Sequence, residues 1–91
     1  TQVLAPAAGA ATSTNIVIAE GQSVNLFLAG GAGAQPPSGA AVQVQIQASD
    51  TNWATIYTMQ APSTSMARLE GPGTFRVVRS AGFPAVGVEK A

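Results

Sequence analysis

The residues that could perform acid–base chemistry in this chain are few and widely spaced. Its four acids are Glu20, Asp50, Glu70 and Glu89, and each falls at a predicted turn or strand end. Hydrolysis by paired carboxylates needs two acids held about 5–9.5 Å apart across a cleft. Nothing in this spacing predicts such a pair.

Nucleophilic and metal chemistry are equally unsupported, because the chain has no histidine and no cysteine. A serine nucleophile would lack its usual base, and the only lysine, Lys90, lies next to the C-terminus. The oxygens of residues 50–52 are too few for calcium, which takes six to eight ligands. We therefore predict that the protein is not an enzyme and has no cofactor or metal site.

The charge content restricts the class of partner. Four basic and four acidic residues among 91 give a net charge of zero. Nucleic-acid binding would need clustered Lys and Arg, and no apolar run approaches the ~20 residues of a membrane span. Because a near-zero net charge favours association, we expect protein partners, either other proteins or copies of this chain, rather than nucleic acid or membrane.

The clearest strand pattern lies at residues 42–48. Val42, Val44, Ile46 and Ala48 alternate with three glutamines, which predicts an apolar face toward a core and a glutamine row facing outward. Solvent is the default neighbour of that row, and another sheet is the alternative. Residues 49–52 predict a turn with Asp and Asn capping the backbone, followed by the second strand of a hairpin at 54–59.

Other strands are predicted at 15–19, 23–28 and 85–89. The turn at 20–22 contains Gly21, which supplies the positive φ of a short hairpin turn. Val24, Leu26 and Leu28 are expected on one face, as are Val86 and Val88 in the last strand.

Residues 66–78 predict a further hairpin, with a Gly-Pro-Gly corner at 71–73. Pairing of its two strands would bring Arg68, Arg76 and Arg79 close together. We interpret them as a solvated, partly ion-paired face rather than an anion site.

About seven short strands with regular turn signals predict an all-β fold, an antiparallel β-sandwich in one domain at residues 15–91. Residues 1–14 lack periodicity and predict an extended, flexible N-terminal arm, either a frayed tail or a segment that orders on a neighbouring subunit. The Gly- and Pro-rich loop at 29–41 is a candidate for partner contact. The candidate partner-contact residues are Gln35, Pro36, Pro37, Arg68, Arg76 and Arg79.

Trp53 is the one tryptophan. Large aromatic side chains are mostly buried, so we expect Trp53 to fill one end of the core. The alternative is that it stacks on a sugar or a partner.

Two stretches resemble known families. The sequence VQVQIQASDTNWATIYTM, beginning at Val42, is similar to a hairpin of immunoglobulin-like and fibronectin-like modules. The sequence EGPGTFRVVRSAGFPAVGVE, beginning at Glu70, resembles the C-terminal part of small tailed-phage virion proteins. Together they cover roughly half of the chain.

The resemblance implies an immunoglobulin-like sandwich and a structural role. It suggests a decoration or cement protein on the surface of a bacteriophage capsid, whose edge strands, such as residues 15–19, could add to a neighbour's sheet. The alternative is a receptor- or carbohydrate-binding module of a phage fibre or secreted protein, which would need exposed aromatic side chains. Exposure of Trp53 beside Tyr57 would favour that alternative.

Overall fold

The fold is all-β with two antiparallel sheets. The computed structural model describes residues 2–7, 9–30, 38–61, 63–82 and 84–90, and these residues contain strands but no helix. This confirms the predicted all-β class.

Nine strands lie within the described residues. They are β1 (Gln2–Ala7), β2 (Ala11–Thr12), β3 (Ile16–Ile18), β4 (Ser23–Ala29), β5 (Ala41–Gln47), β6 (Trp53–Gln60), β7 (Met66–Glu70), β8 (Gly73–Arg79) and β9 (Val86–Lys90). The strands β3 to β9 correspond to the seven predicted from the sequence. The other two come from the segment predicted as an arm.

The strands form a four-stranded and a five-stranded sheet. The first has the order β1-β9-β4-β7, and the second has the order β2-β8-β5-β6, with β3 also pairing with β8. Among the described strands, β5 and β6 are the one pair of sequence neighbours that are hydrogen-bonded to each other. All other pairings join distant parts of the chain, so the fold depends on long-range contacts.

The core lies between the two sheets, in a sandwich-like arrangement. The four-stranded sheet contributes Leu4, Leu26, Leu28, Leu69, Val86 and Val88, and the five-stranded sheet contributes Ile18, Val42, Val44, Met59, Phe75 and Val77. The strand faces predicted from alternation in β4, β5 and β9 are confirmed by these buried side chains. The inward position predicted for Ala48 is wrong, because β5 ends at Gln47 and Ala48 is exposed where the chain enters the turn. In β7, Leu69 is buried and Met66 is exposed.

The predicted hairpin over residues 42–59 is confirmed. β5 and β6 pair from Ala41↔Gln60 to Gln47↔Trp53, with a bulge at Ile56. At the turn, the carboxylate of Asp50 accepts a hydrogen bond from the Asn52 main-chain N–H at 3.1 Å. This is the predicted side-chain cap.

The predicted hairpins over 15–28 and 66–78 are wrong in a related way. β3 pairs with β8 and β4 pairs with β7. The chain therefore crosses from the five-stranded to the four-stranded sheet between β3 and β4, and it crosses back between β7 and β8. These two bent stretches pair with each other along their length.

Gly71 shows why both corners are tight. Its N–H donates to the Gln22 carbonyl at 3.0 Å, so the two corners lie side by side. A Cβ at this position would collide with the main-chain oxygens of Ala19 and Ile18, the latter at 2.7 Å. The Gly-Pro-Gly signal thus marks a close approach of two backbones rather than a hairpin turn. Gly21 does have the predicted positive φ, 78°.

The segment predicted as an arm is extended, but its strands belong to the sheets of its own chain. β1 pairs with β9, and β2 pairs with β8. Leu4 enters the core with 7% exposure. The Ser13 hydroxyl accepts a hydrogen bond from the Val77 N–H at 2.9 Å, while the Ser13 N–H donates to the Val77 carbonyl at 2.8 Å.

Candidate partner-binding face

The outer face of the five-stranded sheet carries the row of glutamines predicted from alternation. Its side chains alternate with those that enter the core. We call it the glutamine face, and it comprises Thr12, Val17, Gln43, Gln45, Gln47, Trp53, Thr55, Thr58, Thr74, Arg76 and Val78. Apart from Trp53 and Arg76, it is a sheet surface of amide, hydroxyl and valine side chains.

Arg76 lies at the centre of a chain of polar contacts on this face. Its Nε donates to Gln45 Oε1 at 2.7 Å, and Gln45 Nε2 donates to Thr55 Oγ1 at 3.3 Å. The guanidinium carbon lies 4.3 Å from the centroid of the Trp53 ring, within the range of a cation–π contact. These contacts fix the relative orientation of side chains on three neighbouring strands, β8, β5 and β6.

The expectation that Trp53 belongs to the core is wrong. The register pairs Trp53 with Gln47, so its ring lies on the outer face, where it is half-buried against Arg76. Tyr57 pairs with Val44 and therefore lies on the opposite side of β6. The sequence interpretation failed because a large aromatic can be covered by a long charged side chain as well as by a core.

Charge is almost absent from the glutamine face. β2, β3, β5 and β6 contain no charged residue. β8 contains two, Arg76 and Arg79, and Arg79 points inward. The single cation on this face is thus half-buried and engaged by Gln45 and Trp53. Such a surface can meet another protein without desolvating free charges.

Arg79 was predicted as a partner contact, but the structure places it inside the protein. It is 6% exposed. Its Nε donates to the Gly9 carbonyl at 2.7 Å, and its Nη1 donates to the carbonyls of Ala5 at 2.6 Å and Val86 at 2.8 Å. Arg79 therefore fastens the N-terminal segment to the strands β8 and β9.

Arg68 lies on the other sheet, so the predicted cluster of three arginines does not form. Its Nε is 3.4 Å from Glu70 Oε1, and both side chains are mostly exposed. Its Nη2 donates to Ser23 Oγ at 3.3 Å. The predicted partly ion-paired, solvated character applies to Arg68. Gln35, Pro36 and Pro37 lie outside the described residues.

A cleft between the edge strands β6 and β7 was missed by the sequence analysis. It has a volume of about 320 Å³, and its walls include Ile56 and Tyr57 from β6 and Met66 and Leu69 from β7. Alternation counted back from Met59 places Tyr57 inward, but it also places Trp53 inward, and the bulge at Ile56 that separates their faces had no signal in the sequence. No local sequence pattern indicated that β7 would lie at the edge of the opposite sheet.

The described part of the chain has no cluster of three His, Cys, Asp or Glu residues that could hold a metal ion. None of its elements is a helix long and apolar enough to cross a membrane.

The fold and this face define an all-β, sandwich-like domain with a charge-poor sheet surface. Comparison of the chain with protein-family models, with curated proteins and with solved structures gave no match.

The contact between Arg76 and Trp53 leads to a testable prediction. Arg76→Ala removes the cation over the ring, so we expect red-shifted tryptophan emission and stronger acrylamide quenching. The free energy of unfolding should fall by only about 1 kcal/mol, as is usual for a partly exposed cation–π pair. Arg68→Ala on the other sheet is the matched control and should leave the emission unchanged. Identical emission from both variants would contradict the assignment.

Proposed function

We propose that this protein is a structural virion protein of the decoration or cement type, which binds a bacteriophage capsid shell through non-covalent contacts. It acts without catalysis, at the outer surface of the capsid. The proposal starts from the resemblance of residues 70–89 to small tailed-phage virion proteins. The observation that carries it here is the glutamine face, with its single, internally engaged cation.

A face of this kind suits binding by shape and hydrogen bonding. Glutamine amides and threonine hydroxyls donate and accept hydrogen bonds without the desolvation cost of free carboxylates or ammonium groups. Such a surface can also form contacts when many copies lie side by side, because identical neighbours with few charges do not repel each other. The glutamine row is then the contact surface itself, rather than the solvated row expected by default.

The immunoglobulin-like type of sandwich belongs to the same proposal. The order β8-β5-β6 supports it, because immunoglobulin sheets also place a strand from the C-terminal half beside the hairpin strand C. β9 departs from that pattern, since it pairs with β4 rather than with β8.

Binding to empty shells of the source phage tests the proposal. We expect the wild-type protein to sediment with shells, and Gln43→Lys to weaken binding by at least about tenfold, because a charge buried in an interface without a partner costs several kcal/mol. Gln43 is exposed and its side chain lies on the glutamine face. Gln22→Lys makes the same chemical change at an exposed turn away from that face and is the control.

Two results would contradict the proposal. Failure of the wild-type protein to sediment with shells would contradict the proposed function. Equal binding by the two lysine variants would show that the glutamine face is not the contact surface.

The second candidate function is a carbohydrate- or receptor-binding module of a fibre or secreted protein. The position of Trp53 on the outer face favours it, since a ring at the surface can stack on a sugar. The placement of Tyr57 on the opposite side of β6 leaves Trp53 without the second ring of a flat platform. Titration with a panel of oligosaccharides, followed by Trp53 emission, separates the candidates, because saturable quenching is expected for the binding module alone.

A further inference from the structure

The N-terminal strand β1 lies in a groove formed by residues from the other end of the chain. It pairs with β9 along one side, and Leu4, its one buried residue, enters the core. Arg79 of β8 donates to the carbonyl of Ala5 within β1 and to the carbonyl of Gly9 just beyond it. The groove therefore binds an extended segment through its backbone and through one apolar side chain.

Gly87 of β9 fits this groove closely to β1. A Cβ at Gly87 would lie 2.7 Å from the Leu4 carbonyl oxygen and 2.9 Å from the Pro6 nitrogen. Both distances are too short for van der Waals contact, so the backbone of β1 comes this close because position 87 has no side chain. We call the site formed by Arg79, Gly87 and the pocket for Leu4 the β1 groove. Its fitted occupant is the segment at residues 2–9 of this sequence.

The link between β1 and the rest of the chain is short. β1 ends at Ala7 and β2 begins at Ala11 in the other sheet, so the link consists of residues 8–10. Gly9 is exposed, and a Cβ there would meet no atom within 4 Å. Because glycine has the widest choice of backbone dihedral angles, a rotation at Gly9 can redirect β1 without displacing packed side chains.

β1 can also leave the sheet without disrupting another strand pair. It is the first strand of the chain and lies at the edge of the four-stranded sheet, where it pairs with β9 alone. That pairing has two register shifts, whereas the pairing of β9 with β4 is regular. When β1 departs, β9 therefore keeps its other neighbour and the groove remains.

We propose that β1 exchanges between two copies of this chain, so that the β1 of each copy fills the β1 groove of the other. In the monomer β1 fills its own groove, and exchange follows its release. The partner is a second copy because the groove is fitted to this chain's own segment, and the contacts of Leu4 and Ala5 form again in the new pair. The main cost lies in the link at residues 8–10, and rising concentration favours the two-chain form. The exchange does not depend on shell binding through the glutamine face.

Disulfide trapping tests the exchange in full-length chains, because the natural chain contains no cysteine. Gln2 and Glu89 lie opposite each other in the pairing of β1 with β9. Chains with Gln2→Cys are mixed with chains with Glu89→Cys at micromolar concentration, incubated just below the unfolding midpoint and oxidised. We expect at least about tenfold more mixed dimer than from a control pair, because cysteines held opposite each other have an effective concentration in the millimolar range.

Chains with Ser23→Cys and chains with Glu70→Cys form the control pair. These two exposed positions also lie opposite each other, in the pairing of β4 with β7. Neither strand is terminal, so neither can be exchanged by opening the link at residues 8–10. The control pair therefore reports cross-linking by random collision.

A double variant with Gln2→Cys and Glu89→Cys in the same chain gives the second test. Oxidised in dilute solution, it is expected to form the disulfide within one chain, which holds β1 in its own groove. We expect the mass of this oxidised variant by light scattering to stay that of a monomer when the protein is concentrated. The wild type and the reduced variant should shift toward the dimer after the same incubation. Circular dichroism checks that the variant is folded.

Three results would overturn this inference. They are equal cross-linking of the two mixed pairs, a wild-type protein that stays monomeric at every concentration, and an oxidised double variant that forms the dimer as readily as the wild type. The last result would place the contact between copies away from β1. Each of them leaves the sedimentation of the protein with shells, and therefore the test of the proposed function, unchanged.

Discussion

Arg79→Ala is expected to lower the free energy of unfolding by about 3 kcal/mol. The variant leaves three main-chain carbonyls, those of Gly9, Ala5 and Val86, without the donor that they have in the native protein. Each buried acceptor left unsatisfied costs about 1–3 kcal/mol, with partial relief where water can enter. Because small domains have only about 5–15 kcal/mol of stability, urea denaturation followed by circular dichroism should show a large shift of the midpoint.

Three further variants separate the causes of that loss. Arg79→Met keeps most of the side-chain volume, so a loss close to that of Arg79→Ala would assign the effect to hydrogen bonds rather than to a cavity. Arg79→Lys keeps the charge but has one nitrogen for acceptors on three segments, and we expect an intermediate loss. Arg76→Ala, three positions earlier on the outward side of β8, is the control. An Arg79→Ala variant as stable as Arg76→Ala would contradict the assigned role of Arg79.

Deletion of residues 1–14 is expected to abolish most of the cooperative stability of the fold, with a loss on the order of 5 kcal/mol or more. It removes Leu4 from the core and Ser13 from its pairing with Val77. It also removes two of the three carbonyl acceptors of Arg79. The loss of β1 uncovers β9, whose Val86 and Val88 are fully buried. Thermal and urea unfolding measured by circular dichroism would record the result.

The matched controls are single substitutions in the full chain. Leu4→Ala should cost about 3 kcal/mol as a buried large-to-small change, whereas Gln2→Ala at an exposed position should cost nothing measurable. An arm that belonged to a neighbouring subunit would behave differently. Its deletion would lower the mass in solution and leave the unfolding midpoint of the monomer unchanged, and that outcome would contradict the pairing of β1 with β9 in the same chain.

Much of the strand content could be predicted because alternation is a local property. The glutamines at 43, 45 and 47 alternate with buried residues, and this spacing places them on one outer face whatever strand lies beside them. The same rule would have placed Arg79 inward, in line with Phe75 and Val77. The expectation that a charged side chain lies outside overrode it, since a buried arginine needs acceptors that the local sequence does not supply.

Local sequence patterns did not predict which strands pair with each other. A Gly-Pro-Gly stretch satisfies a hairpin turn and a corner between sheets equally well, and in this chain the close approach of Gly71 to Ala19 decides between them. The carbonyls that hold Arg79 lie 70 and 74 residues away for Gly9 and Ala5. The amino acids alone thus predicted short strands of alternating residues, a row of glutamines on an outer face and a chain with very few charged residues. Which strands became edges, and which sheet face was left outside the core, depended on long-range packing, because burial of a strand is set by the neighbours that the whole chain brings to it.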